Sequence, residues 1–161
     1  MLKAEPRSDL ENLRAVFASG PNMRVRQAAA SFSCDVSDRG VWLPATVNGR
    51  SVRWLMDTGA NVTIISDAEA SRLGLEIRDS KGGAADLAGG STAIRTAIAR
   101  RIVIGRTQFE HVPVLVTPAD GMPWKAWPPG KQGILGLPLF IGLDALRWTH
   151  AGMCHTGAAA R

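Results

Sequence analysis

One short stretch concentrates the chemistry of this chain: Asp57-Thr58-Gly59-Ala60, a carboxylate followed by a hydroxyl and a glycine. Apolar runs bracket it, Val52-Arg53-Trp54-Leu55-Met56 before and Val62-Thr63-Ile64-Ile65 after. Strand-like segments on both sides hold the carboxylate against a core. Burial there disfavours the charged form, so the group must be hydrogen-bonded, paired or partly neutralised. The motif occurs once, and neither Asp120-Gly121 nor Asp144-Ala145 repeats it. Chemistry that needs two such carboxylates therefore requires a second subunit.

Other reactive types are sparse. His111, His150 and His155 have no serine or cysteine in a nucleophile motif beside them. Cys154 with His155 and His150 matches no familiar metal-ligand spacing and lacks an evident fourth ligand, so neither metal nor cofactor is expected. Cys34 and Cys154 could be free thiols, or could staple the first and last strands of the domain; spacing alone decides neither. The net charge of +5 raises the question of an anionic partner, but the arginines are scattered and no aromatic-interleaved basic motif exists. Nucleic acid is therefore not expected.

Hydrophobic content of 45% with 20% charged residues fits one globular domain with a real core. No apolar run is long enough to span a membrane. The first residues lack a secretory h-region. Localisation is thus periplasmic or membrane-tethered if a signal or anchor lies upstream of this chain, and cytoplasmic otherwise.

The elements that must position Asp57 read as mostly β. Val41, Leu43, Ala45 and Val47 alternate, Asn48-Gly49 signals a tight hairpin, and Val52, Trp54 and Met56 return on the partner strand. After strand Val62–Ile65, Ser66 and Glu69 form a capping box opening a short helix that Gly74 closes. A second hairpin spans Ala84 to Ile104, with its turn at Gly89-Gly90; Gly105-Arg106 turns the chain into Phe109–Val116, where His111 is expected at the surface. The Pro/Gly-rich loop 117–132 carries Trp124 and Trp127, which either meet an apolar partner or cover the core edge. Ile134-Leu135 between Gly133 and Gly136 suits a buried strand pressed against other backbone. A short helix over Leu139–Leu146 and a strand at Arg147-Trp148-Thr149 follow. The expected organisation is an N-terminal helix and linker over 1–30, the domain over 31–155 and a flexible tail over 156–161.

With these pieces in place, the chain resembles the retropepsin-like aspartic peptidases, in their bacterial single-domain branch. The resemblance rests on Asp57-Thr58-Gly59-Ala60, the later Ile134-Leu135-Gly136, and the glycine-tipped hairpin between them. It covers roughly 34–150 and implies a closed β-barrel, an acid-protease half, with one or two short helices. It further implies an endopeptidase that works as a homodimer on extended peptides, with one Asp57 from each copy. Thr58 would fix the pair across the two-fold axis, and Gly59 and Ala60 would support it. Leu87, Ala88, Gly89 and Gly90 would form a flap tip. Asn61, Trp124, Trp127, Ile134, Leu135 and Gly136 are candidates for the substrate cleft, although Asn61 stands where many retroviral members carry an acid. The alternative is a non-catalytic peptide-binding or dimerisation module on the same fold.

Overall fold

The computed structural model describes residues 22–85 and 91–157, without side chains over 80–94. Among the described residues, twelve strands and two short α-helices follow in chain order. Strand β4 (Gly40–Val47) shows the expected alternation: Val41, Leu43, Ala45 and Val47 are buried and the residues between them are not. Asn48 and Gly49 both adopt positive φ, 49° and 85°, which a two-residue hairpin turn of this hand requires. The return strand β5 (Arg50–Met56) pairs with β4 throughout and buries Val52 and Trp54.

A six-stranded barrel closes around these side chains. β5 pairs in parallel with β10 (Gly133–Leu135), and β10 runs antiparallel to β6 (Thr63–Ser66). β6 lies parallel to β9 (Thr107–Thr117), β9 pairs with β8 (Ser91–Ile104), and β8 returns to β4. Closure leaves these strands without a free edge. Trp54, Ile65, Ile102, Ile104, Phe109, Val114 and Leu135 fill the interior, each fully buried.

Between β6 and the rest of the chain sits helix α1 (Asp67–Arg72), capped where the Glu69 N–H donates to the Ser66 hydroxyl. Only this half of the capping box forms. The Glu69 side chain turns inward, and the Ser66 N–H donates to the Gln132 carbonyl instead. The second hairpin begins earlier than its apolar residues suggest: β7 (Arg78–Ala85) pairs with the first part of β8, with an irregular register between Asp79 and Gly83. Its tip, Leu87 to Gly90, lies outside the described residues.

Strand β1 (Arg24–Arg26) lies antiparallel on β9, and β3 (Asp35–Ser37) pairs with the start of β4. The barrel's sheet therefore begins inside the stretch expected to be a linker up to residue 30. A second, three-stranded sheet joins β2 (Ala30–Ser33) to β12 (Met153–Thr156) and β12 to β11 (Leu146–Trp148). Thr156 is thus a buried strand residue, not the first residue of a flexible tail. Cys34 and Cys154 form a disulfide beside this sheet, which decides between the two alternatives left by their spacing. Helix α2 (Leu137–Ile141) follows β10 directly and buries Leu139 in the core.

His111 also departs from expectation. It is half-buried, sits at φ 56°, and leaves its ring Nδ1 buried with no hydrogen-bond partner. The bend falls where β9 exchanges β1, paired at 108–110, for β6, paired from Val114 onward.

Candidate active site

Asp57 is the first residue past β5, and its N–H donates to the carbonyl of Leu135 at 3.0 Å. The β5–β10 pairing thus carries the chain into the loop with a fixed direction. The loop then turns on itself: Ala60 N–H donates to the Asp57 carbonyl at 3.3 Å, and Gly59 N–H donates to Asp57 Oδ1 at 2.8 Å. The second bond orients the carboxylate from its own backbone, as aspartate does in short turns. Asp57 is half-buried, while Thr58 and Gly59 are exposed at the tip. The carboxylate is therefore held but open on one side.

Strand β10 and its continuation clamp the loop. Gly136 N–H donates to Thr63 Oγ1 at 3.2 Å, and Leu137 N–H donates to the Ala60 carbonyl at 2.8 Å. Thr63 is buried, and its hydroxyl has this backbone partner where no water reaches. A Cβ on Gly136 would lie 2.4 Å from the carbonyl carbon and oxygen of Val62, so only glycine permits the approach. At the other end of the pair, a Cβ on Gly133 would meet the Trp54 ring at 2.4 Å. Both glycines flanking Ile134-Leu135 are thus demanded by contact, as the sequence pattern implies. Ile134 is half-buried, Leu135 fully buried and Asn61 exposed.

The indoles divide between the two readings open to them. Trp124, 2% exposed, is a core side chain whose Nε1 donates to Thr117 Oγ1 at 2.6 Å. Trp127 is half-buried and packs edge-on against Trp42 at 4.8 Å between ring centroids, with Lys131 Nζ 5.3 Å from the Trp42 ring centre. Trp42 is opposite Leu55 in the β4–β5 register, two residues before Asp57. Only Trp127 of the two therefore presents partly exposed aromatic surface, and Trp42, absent from the expected cleft residues, shares it.

The charged groups around this site hold the loop 118–132 in place. Glu69, 1% exposed, accepts from Trp54 Nε1, from Arg72 Nε and Nη2, and from Gly130 N–H. Burial opposes ionisation of this carboxyl, but the Arg72 guanidinium, the Gly130 N–H and the indole N–H outweigh it and hold it below the usual glutamate range. Asp67 accepts from Arg95 Nη2 of β8 at 2.7 Å and from Ala119 N–H at 2.9 Å. Its carboxyl is likewise held low: burial pushes up, and Arg95 with the Ala119 and Ala68 N–H groups pushes further down. Asp144, a carboxylate outside the motif, is exposed and accepts from Gln27 Nε2 at 2.8 Å.

Barrel and loop together define a class: a single closed β-barrel that presents an Asp-Thr-Gly turn braced by a glycine-flanked strand. The sequence model of the family described as aspartyl protease matches residues 43–139, and the chain belongs to that family. Among solved structures, a retropepsin-like aspartic protease from Rickettsia conorii aligns over 84% of this chain and 92% of its own, at 17% identity and a TM-score of 0.56. The EIAV protease, solved with the inhibitor HBY-793, aligns over 62% of this chain and 84% of its own, at 20% identity and a TM-score of 0.43. No curated protein gives a significant match. The first of these structures shows that the fold is retropepsin-like.

Proposed function

We propose that this chain is an aspartic endopeptidase that acts as a homodimer, with Asp57 of each copy meeting across a two-fold axis. The observation that carries the reading is the Asp57 loop itself: one carboxylate, oriented by Gly59 N–H, half-buried and open on one side. An isologous contact would bring the second carboxylate to it. Two carboxylates at short range cannot both ionise comfortably, so the pair holds one proton and titrates as a unit. The charged member draws a proton from water as the water oxygen adds to the peptide carbonyl carbon. The protonated member donates to the carbonyl oxygen, and transfer of a proton to nitrogen releases the amine. In this reading Thr58 would hold the two loops together, and the β7–β8 hairpin would cover an extended peptide. The Cys34–Cys154 bond suits an oxidising compartment such as the periplasm.

The test is cleavage of a diverse peptide mixture between about pH 4 and 7, the range suited to a proton-sharing pair. Wild type and Asp57→Asn are compared by mass spectrometry, with the oligomeric state followed by sedimentation. Cuts made by the wild-type dimer and absent from the variant support the proposal. A folded dimer that binds peptides without cutting them identifies a binding module instead.

A further inference from the structure

The three-stranded sheet carries a cavity of about 650 Å³ whose polar lining is cationic or neutral throughout, and none of its lining residues belongs to the Asp57 loop. The β11–β12–β2 register sets Arg147, His155 and Ser31 in one row across three strands. The Ser31 hydroxyl is 2.8 Å from His155 Nδ1, which fixes the ring and leaves Nε2 as its other polar atom. From the barrel side, the β8–β9 turn brings in Arg106. Gly105 makes that approach possible, since a Cβ there would lie 2.7 Å from the Phe32 ring and 3.1 Å from the Ala30 Cβ. Neither arginine forms an ion pair within the described residues, and no aspartate or glutamate lines the cavity.

Arg106 and Arg147 are both exposed at this cavity. Guanidinium forks bind phosphate oxygens in pairs, and two of them match a doubly charged oxyanion better than a monocarboxylate. The volume lies within the range of small-molecule sites, and Phe32 adds an apolar wall for the body that carries the anion.

We propose that this cavity is a binding site for a phosphate monoester, held by Arg106 and Arg147 with His155 and Ser31 completing the donor set. The site is separate from the Asp57 loop and does not depend on its chemistry. The test titrates isotopically labelled protein with inorganic phosphate, followed by NMR at constant ionic strength. Two further arms use a phosphoserine peptide and its unphosphorylated twin. Shifts should centre on residues 31, 106, 147 and 155. Arg106→Ala and Arg147→Ala should each weaken phosphate binding by about tenfold or more, with Arg147→Lys intermediate because it keeps charge but loses the fork. Asp57→Asn should bind as wild type does. A phosphopeptide that binds more tightly than phosphate assigns the ester to a peptide, and equal affinity assigns it to a small molecule. Phosphate that binds no better than chloride, or folded alanine variants that bind as wild type does, would overturn the site.

Discussion

Replacing Glu69 by glutamine removes one charge and almost no volume, yet it should be among the most damaging single changes in the barrel. Each carboxylate oxygen serves two donors: Oε1 takes Trp54 Nε1 at 3.2 Å and Arg72 Nη2 at 2.7 Å, while Oε2 takes Arg72 Nε at 2.9 Å and Gly130 N–H at 3.1 Å. An amide offers a single oxygen, so in either orientation two of these four contacts become donor against donor. Arg72 can swing toward solvent, being 33% exposed, but Trp54 and the Gly130 backbone cannot follow. Breaking a buried pair by deleting one partner costs about 3–5 kcal/mol. Partial screening of Arg72 places the expected loss near the lower end, about 3 kcal/mol, or roughly 10 °C in Tm for a chain of this size. The pH dependence has a definite sign. The folded carboxyl titrates below its ordinary value of 4.5, so its contribution is complete above that pH and is lost as pH falls through the depressed folded value. The glutamine variant has nothing to titrate there, so the gap between the two proteins should narrow in acid. Urea unfolding at pH 7 and pH 3 measures both quantities. A gap below about 1 kcal/mol at pH 7, or one that is the same at pH 3, would refute the account of Glu69 as an ionised, fully engaged carboxylate.

The two glycines of β10 and its end should fail in different ways. Gly136→Ala pushes on the Val62 backbone and so moves the loop that carries Asp57, whereas Gly133→Ala pushes on the Trp54 ring. Both should lose about 1–3 kcal/mol of stability, but only Gly136→Ala should lose about 100-fold in kcat when assayed well below its Tm. Equal kcat losses in the two variants would sink the distinction. The disulfide closes a sequence separation of 120 residues. The chain-entropy relation gives about 5 kcal/mol for a loop of that order, and native bonds typically contribute about 2–5 kcal/mol. Cys34→Ser with Cys154→Ser should therefore lower the urea midpoint, and wild type in reductant should match it; a wild-type midpoint indifferent to reductant would contradict this.

What could be read from the residues alone was whatever local pattern controls. The β4–β5 hairpin follows from alternation and from Asn48-Gly49, whose positive φ values few other residues would tolerate. The brace beneath Asp57 follows from two glycines around Ile134-Leu135, because close approach leaves the same signature wherever it occurs. Strand β1 had no such signature. Arg24-Val25-Arg26 offers one apolar residue, and its place on β9 is held by backbone pairing that any sequence can supply. Strand β12 is hidden in the sequence for a related reason: Met153 and His155 face out, Cys154 and Thr156 face in, and neither pair reads as a simple apolar or polar face. The bend at His111 left no trace at all, since nothing in Phe109–Val116 announces a positive φ at a histidine.

Glu69 shows where the local code stops. Ser66 and Glu69 at capping-box spacing correctly mark the start of α1, and the Ser66 hydroxyl does accept the Glu69 N–H. The same rule assigns the Glu69 carboxylate to the Ser66 N–H, a surface role of modest value. That N–H is instead taken by the Gln132 carbonyl, and the carboxylate is free to turn inward. There it meets an indole 15 residues away in sequence and a backbone N–H 61 residues away. Neither donor belongs to the helix, so no window drawn around the helix could contain them. The consequence reaches the candidate site. One carboxylate ties α1 to Trp54 of β5, three residues before Asp57, and to Gly130, whose carbonyl in turn accepts the N–H of Arg53. The loop that the sequence marks as long and Pro/Gly-rich is thereby fastened to the strand that delivers Asp57, and its partly exposed Trp127 is held against Trp42 rather than left to move.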